Sequence, residues 1–298
     1  MRDIRQILCP IDLSDISQHA LDHARVLAAW YEAKITALHI CNPMVIPSAD
    51  FAVGGTMPAP VLTEAERQEE RQQVLEFIGA EQAADLNVLI GSGRAAKGIL
   101  DVASALPADL VVIGTHGFGG FEHLVLGSVT EKVLRKASCP VLTVPPLAQT
   151  TSKLPFKRLL CPTDFSESSL AALEFAVSLA QEGDADLTIL HVFEQSADDE
   201  PRANRPIVAP EYLREMEASV TARLDALVPC NVGDACRPHA RTAHGKPYRE
   251  ILGIATEVSA DLIVMGVHGR NAIDLMLFGS TTTQVVRRAT CPVLTLRR

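Results

Sequence analysis

Residues Ala108 to Val144 read ADLVVIGTHGFGGFEHLVLGSVTEKVLRKASCPVLTV, and the same pattern returns from Ala260 to Leu296. Leu110 to Ile113 is a short β-branched apolar run with no polar interruption, the signature of a strand buried on both faces of a parallel sheet. The run ends in Gly114, and Gly117, Gly127 and Ser128 follow. From there Val129, Val133, Leu134 and Ala137 mark one face of an amphipathic helix. The second copy has Gly266, Gly269, Gly279 and Ser280 at the matching places, so both read Gly-x2-Gly-x9-Gly-Ser.

A strand that feeds a glycine-bearing loop and then a helix start brings free backbone N–H groups and a positive dipole end together, which suits an anion. Glycine also lets a ligand approach the main chain closely. Ser128 and Glu131 read as a Ser-x-x-Glu capping box at that helix start. Ser280 has Thr283 in place of the glutamate, a weaker cap, with Thr281 and Thr282 adding hydroxyls.

The landmarks recur 152 residues apart throughout: Cys9 with Cys161, His39 with His191, Gly114 with Gly266, Gly127 with Gly279, and Cys139 with Cys291. Two copies of about 145 residues are paired domains and not a solenoid. We therefore expect domains at 1–148 and 157–298 joined by a linker at 149–156. Strand and helix patterns alternate in each half, which predicts a doubly wound α/β sheet. In the first half strands are expected near 5–10, 35–40, 86–91, 109–114 and 140–144, and helices near 15–33, 63–84, 95–106 and 128–137. In the second half strands are expected near 157–162, 187–192, 237–243, 261–266 and 292–297, and helices near 167–182, 210–227, 247–258 and 280–289. Long loops from Cys41 to Val61 and from Phe193 to Ala209 follow the second strand of each half and suit a lid or a partner surface, or equally a mobile connection.

With both motif copies in register, the sequence resembles the universal stress proteins, specifically their tandem-domain, ATP-binding branch. The resemblance spans both halves and implies two tandem doubly wound five-stranded parallel-sheet domains of strand order 3-2-1-4-5, paired through their fifth strands as a pseudo-dimer. In such an order the ligand crevice lies where strands 1 and 4 meet. By resemblance, Pro10, Ile11, Asp12 and Ile40 face the adenosine of ATP, while Gly114, Gly117, Gly127, Ser128, Val129 and Thr130 hold ribose and phosphates. The second half carries Pro162, Thr163, Asp164 and Val192 for adenosine, and Gly266, Gly269, Gly279, Ser280, Thr281 and Thr282 for ribose and phosphates. Arg270 stands where the first copy has Phe118 and offers a direct phosphate contact. Asp12 has a second reading, as a helix N-cap through Asp-x-Ser.

Composition bounds the partners. The chain has 298 residues, 47% hydrophobic content and a net charge of −9, which suits two globular α/β domains and gives no support to nucleic acid or an anionic membrane surface as partner. No secretory leader pattern and no run of about 20 apolar residues is seen. The seven cysteines lie mostly in or beside strands, as expected of small buried hydrophobes in a reducing cytoplasm.

Other chemistry is weaker. His39, His191, His116 and His268 lack an adjacent nucleophile motif and read as lining or hydrogen-bonding groups, so no catalytic residue is assigned. Cys230, Cys236, His239 and His244 are spaced unlike a structural zinc site, and no metal site is assigned. Gly91 to Lys97 lacks the Gly-Lys-[Ser/Thr] ending of a P-loop. The expected function is a cytoplasmic stress-response regulator that binds ATP, with or without magnesium, in one or both domains and acts on an unidentified protein partner. Association of two whole chains as a homodimer stays compatible with the sequence. The alternatives are a slow ATPase or phosphotransferase, and a nucleotide-independent scaffold.

Overall fold

A computed structural model of the chain describes residues 4–41, 62–116, 126–146, 148, 154–194, 210–227, 237–267 and 279–297. The chain divides into two compact units, one of Asp3–Pro146 and one containing Leu147–Arg298. The first unit runs β1 (Gln6–Ile11), α1 (Asp15–Tyr31), β2 (Lys34–Cys41), α2 (Glu64–Ile78), α3 (Ala80–Ala83), β3 (Leu86–Ser92), α4 (Ala95–Ala105), β4 (Leu110–Gly114), α5 (Ser128–Lys136) and β5 (Val141–Val144). The second runs β6 (Arg158–Pro162), α6 (Glu167–Gly183), β7 (Asp186–Glu194), α7 (Pro210–Leu227), β8 (Arg237–Gly245), α8 (Pro247–Glu257), β9 (Leu262–Gly266), α9 (Ser280–Arg288) and β10 (Val293–Leu296).

Within the first unit the strands lie in the order β3-β2-β1-β4-β5, every neighbouring pair parallel. Within the second they lie in the order β8-β7-β6-β9-β10, again parallel. These are the orders expected in both halves. The central strands are buried along their lengths, with Leu8, Val111, Leu160 and Ile263 sealed in the core. That burial explains the apolar runs: a strand covered on both faces has no solvent side on which to alternate.

The helix that follows the first strand begins alike in each unit. Ser14 caps α1 by accepting the Ser17 amide at 3.2 Å, and Ser166 caps α6 by accepting the Ser169 amide at 3.3 Å. Both helices end on a left-handed residue, Glu32 at φ 53° and Asp184 at φ 48°. Buried Ala20, Leu21, Ala24, Leu27 and Ala28 give α1 its inward stripe, at the spacing a core-facing helix needs.

One expected element splits. The helix expected over 63–84 ends at Ile78, and a short helix resumes at Ala80. Gly79 lies between them at φ 88°, a left-handed conformation that glycine adopts without the Cβ clash that deters other residues. At its other end α2 has a complete capping box, since Thr63 Oγ1 accepts the Glu66 amide and Glu66 accepts the Thr63 amide at 2.8 Å.

A duplicated aspartate that sequence reasoning missed ties the far ends of the central strands. The Asp109 carboxylate accepts the amides of Arg5 and Gln6 at 2.8 and 2.9 Å. Asp261 does the same for Lys157 and Arg158 at 2.9 and 3.0 Å. The 152-residue offset was the available signal, because it pairs these two carboxylates just before β4 and β9.

Candidate functional site

The strand order reverses at β1 in the first unit, whose neighbours are β2 on one side and β4 on the other. A crevice at such a switch point lies beyond the carboxyl ends of the strands, and two sequence segments meet there. After β1 comes Asp12, whose Oδ1 accepts the Ser14 amide at 3.2 Å and the Ser14 hydroxyl at 2.5 Å. Asp12 therefore is not the N-cap of α1; it holds the capping serine in place, with its carboxylate at an exposed position. Between them Leu13 sits at φ 64° and its counterpart Phe165 at φ 61°, a conformation uncommon for non-glycine residues and worth noting beside a candidate site. Asp164 repeats the arrangement, accepting the Ser166 amide at 3.0 Å and hydroxyl at 2.6 Å.

After β4 comes the start of α5, and here the capping expectation is corrected. The N-cap is Gly127, not Ser128: the Gly127 carbonyl accepts the Glu131 amide at 2.9 Å, and no side chain caps the helix. Ser128 is thus the first helical residue, exposed, and the Ser128–Glu131 box does not form. Gly279 is the N-cap of α9 in the same way, with no side-chain cap and its carbonyl accepting the Thr283 amide at 2.9 Å. In both units no side chain among the described residues caps the first turn of this helix, which is the arrangement an anion uses.

One buried threonine hydroxyl near each helix start is already employed. Thr130 Oγ1 donates to the Gly114 carbonyl at 2.8 Å, and Thr282 Oγ1 to the Gly266 carbonyl at 3.0 Å, both buried. Gly127 donates to the Thr115 carbonyl at 2.9 Å, and Gly279 to the Val267 carbonyl at 3.1 Å. Each helix is thereby pinned to the end of its strand by one hydroxyl and one amide. Thr130→Val is expected to lower stability by about 1–2 kcal/mol, because a buried carbonyl loses its donor. Ser128→Ala is expected to stay within about 0.5 kcal/mol, as at an ordinary surface position. Urea midpoints check both, and a loss of about 1 kcal/mol for Ser128→Ala would restore the capping box.

Other site candidates divide similarly. Gly114 lies where α1 crosses the strand end: a Cβ there would come within 2.6 Å of Ile16 Cγ2. Ile40 turns its side chain toward α4, since a Cβ on Gly91 or Gly98 would meet its Cδ1 at 2.6 or 2.8 Å. Pro10, Ile11 and Pro162 are buried, Val192 is half-buried, and Val129 and Thr281 are half-buried in the first helical turns. Thr163 spends its hydroxyl on Ser169 Oγ at 3.1 Å and on the Phe165 amide at 3.1 Å. Ser280 is exposed at the first position of α9. Gly117, Gly269, Arg270 and His268 lie outside the described residues, as do Cys230, Cys236 and most of the two long loops.

The histidines serve as braces. His39 Nδ1 lies 2.8 Å from the Ile11 carbonyl and His191 Nδ1 2.8 Å from the Thr163 carbonyl. A carbonyl only accepts, so Nδ1 carries the proton in each. His116 is buried, its Nδ1 2.9 Å from Thr115 Oγ1. Burial pushes the thiols of Cys9 and Cys291 up to about 12 and that of Cys139 to about 11. They stay protonated at neutral pH and unreactive as nucleophiles. No helix among the described residues is long and apolar enough to cross a membrane.

The universal stress protein family model matches residues 3–145 and again residues 155–297. A universal stress protein of Mycolicibacterium smegmatis is 27% identical over 299 residues, spanning 98% of this chain and 96% of that protein. Universal stress protein YxiE of Bacillus subtilis is 30% identical over 145 residues, which cover 47% of this chain and 97% of that protein. Among solved structures, a universal stress protein from Archaeoglobus fulgidus DSM 4304 shares the fold at a TM-score of 0.67 and 23% identity, covering 99% of this chain and 97% of its own.

Proposed function

Because the chain belongs to the universal stress protein family, with two copies of the family's domain in tandem, we propose that it binds ATP at the carboxyl ends of its central strands. One observation carries this reading. The helix at each switch point starts on a glycine with no side-chain cap, so a run of amides and the positive end of the helix dipole are left for a phosphate chain. In this reading Ser128 and Val129, and Ser280 and Thr281, hold phosphate through their amides. The carboxylates of Asp12 and Asp164 accept from the nucleoside. Gly114, Gly266, Thr130 and Thr282 shape the site by packing and pinning the helix, and Ile40 and Val192 contribute main chain at the strand ends. Magnesium would accompany the phosphates and be held mainly by them.

The role that follows is regulatory. A ligand that binds the folded state alone stabilises it by about 2.7 kcal/mol at a hundredfold excess over Kd, enough to alter how a unit presents itself to a protein partner in the cytoplasm. Hydrolysis would be slow at best, since the described histidines beside the crevice brace the fold and no paired base and nucleophile stands there among the described residues.

The test is calorimetric titration of the intact chain with magnesium ATP, together with mass spectrometry of nucleotide released on denaturing the purified protein. Saturable binding at one or two sites per chain, with a rise in Tm, is the expected result. An absence of released nucleotide together with no uptake of ATP would overturn the reading and leave a scaffold that keeps the fold.

A further inference from the structure

We propose that the first unit holds a zinc-type divalent cation between His39, Cys41 and Glu70, at a site separate from the phosphate-binding helix start. Residues 39 and 41 are two apart on β2 and so share one face of the strand. Glu70 comes from α2, which is fastened beside the sheet by its flanking arginines. Arg67 Nη1 donates to the Ile90 carbonyl at 3.3 Å and Arg71 Nη1 to the Val88 carbonyl at 2.6 Å. One imidazole nitrogen, one sulfur and one carboxylate oxygen thereby lie within 4.8 Å of one another, with His39 Nε2 3.7 Å from Glu70 Oε2. Ligands around a tetrahedral zinc stand roughly 3.3–3.8 Å apart at the usual bond lengths, so little closure is needed.

The orientation of the histidine ring points the same way. His39 Nδ1 is committed to the Ile11 carbonyl at 2.8 Å, which fixes the ring and leaves Nε2 turned toward Glu70, as the second hydrogen bond of a metal-bound histidine does. Nε2 thereby faces the Glu70 carboxylate at 3.7 Å, and a cation set between them would take one ligand atom from each. The Cys41 thiol is buried, and burial together with the Glu70 carboxylate pushes it up to about 11. Metal binding would release the thiol proton, since the thiolate is the ligand. A thiolate and an imidazole select zinc over magnesium or calcium, with water completing the shell.

The second unit supplies an internal comparison. At the 152-residue offset Phe193 stands for Cys41 and Ala222 for Glu70. His191 keeps its bond to a main-chain carbonyl, yet its ring lies 5.0 Å from Phe165 and 5.1 Å from Phe193. The histidine brace therefore belongs to both units, while the cysteine and glutamate that turn it into a ligand set belong to the first alone.

Cobalt(II) titration of the chelator-treated full chain, without nucleotide, tests this. The expected result is one equivalent of cobalt giving tetrahedral d–d bands and a thiolate charge-transfer band, displaced by zinc. Cys41→Ser should abolish the thiolate band, and Glu70→Gln should weaken zinc binding about tenfold or more, consistent with the loss of one ligand. Far-UV circular dichroism checks folding, and Glu70 lies on the half-buried face of α2, where substitution is tolerated. A Cys230→Ser, Cys236→Ser double variant should retain the band. A band that survives Cys41→Ser, or that vanishes in the double variant, or no band in the parent chain, would overturn the site. ATP uptake by the metal-free chain reports on the nucleotide reading by itself.

Discussion

Gly266→Ala is expected to destabilise the chain by about 3 kcal/mol, seen in scanning calorimetry as a drop of roughly 6–12 °C in Tm for domains of this size. The cause is contact between backbones. A Cβ built on Gly266 falls 2.7 Å from Ser168 C, 2.7 Å from Ser168 Oγ and 2.9 Å from Ser168 O. Main-chain atoms at the start of α6 cannot step aside without moving the helix, which packs on β9. Gly114→Ala meets chiefly the Ile16 Cγ2 methyl at 2.6 Å, with the Ile16 carbonyl farther off at 3.3 Å, so its cost is expected to be smaller. Gly253 lies inside α8 with nothing within 4 Å of the built Cβ, and alanine there is expected to stabilise by about 0.5–1 kcal/mol through lost chain entropy and helix propensity. An unchanged Tm for Gly266→Ala would show that α6 yields freely at its first turn and that the glycine is kept for another reason.

Asp12→Asn is expected to weaken ATP binding in the first unit by about tenfold to a hundredfold while leaving Tm within the range of a surface substitution. Both functions of Asp12 meet in one side chain. Its Oδ1 closes the turn onto the Ser14 amide and hydroxyl, and an asparagine oxygen can accept the same two bonds. Only the negative charge and the second carboxylate oxygen are lost, and these are what a nucleoside hydroxyl or amine would use. Asp12→Ala removes both functions and is expected to lower Tm as well as affinity. Calorimetric titration beside thermal unfolding separates the cases. Full affinity in the asparagine variant together with loss in the alanine variant would mean that Asp12 serves the turn and not the ligand.

Much of the fold could be read without coordinates because its signals are local or periodic. Leu110 to Ile113 and Leu262 to Met265 are strands by their unbroken apolar runs, and both became strands sealed on either face. The Asp-x-Ser pattern marked the start of the first helix, although the second reading of Asp12 as its N-cap fails because Ser14 takes that place. The capping box at Ser128 was misplaced for a related reason. Its letters fit, but whether a residue is the cap depends on which carbonyl accepts the first helical bond, and the Gly127 carbonyl does so.

By itself the sequence determined the duplication, the alternation of strands and helices, and the place of two glycine-bearing turns ahead of two helices. Spacing along one chain encodes each of these. Only the tertiary structure decided what individual residues do at those turns. Gly114 answers to Ile16, Thr130 to the Gly114 carbonyl, and His39 to the Ile11 carbonyl and to Glu70. Glu70 meets His39 and Cys41 across a long loop whose length says nothing of where its ends return. Packing distance between segments far apart in sequence has no periodicity to read, so these roles emerge only when the strands and helices are set side by side.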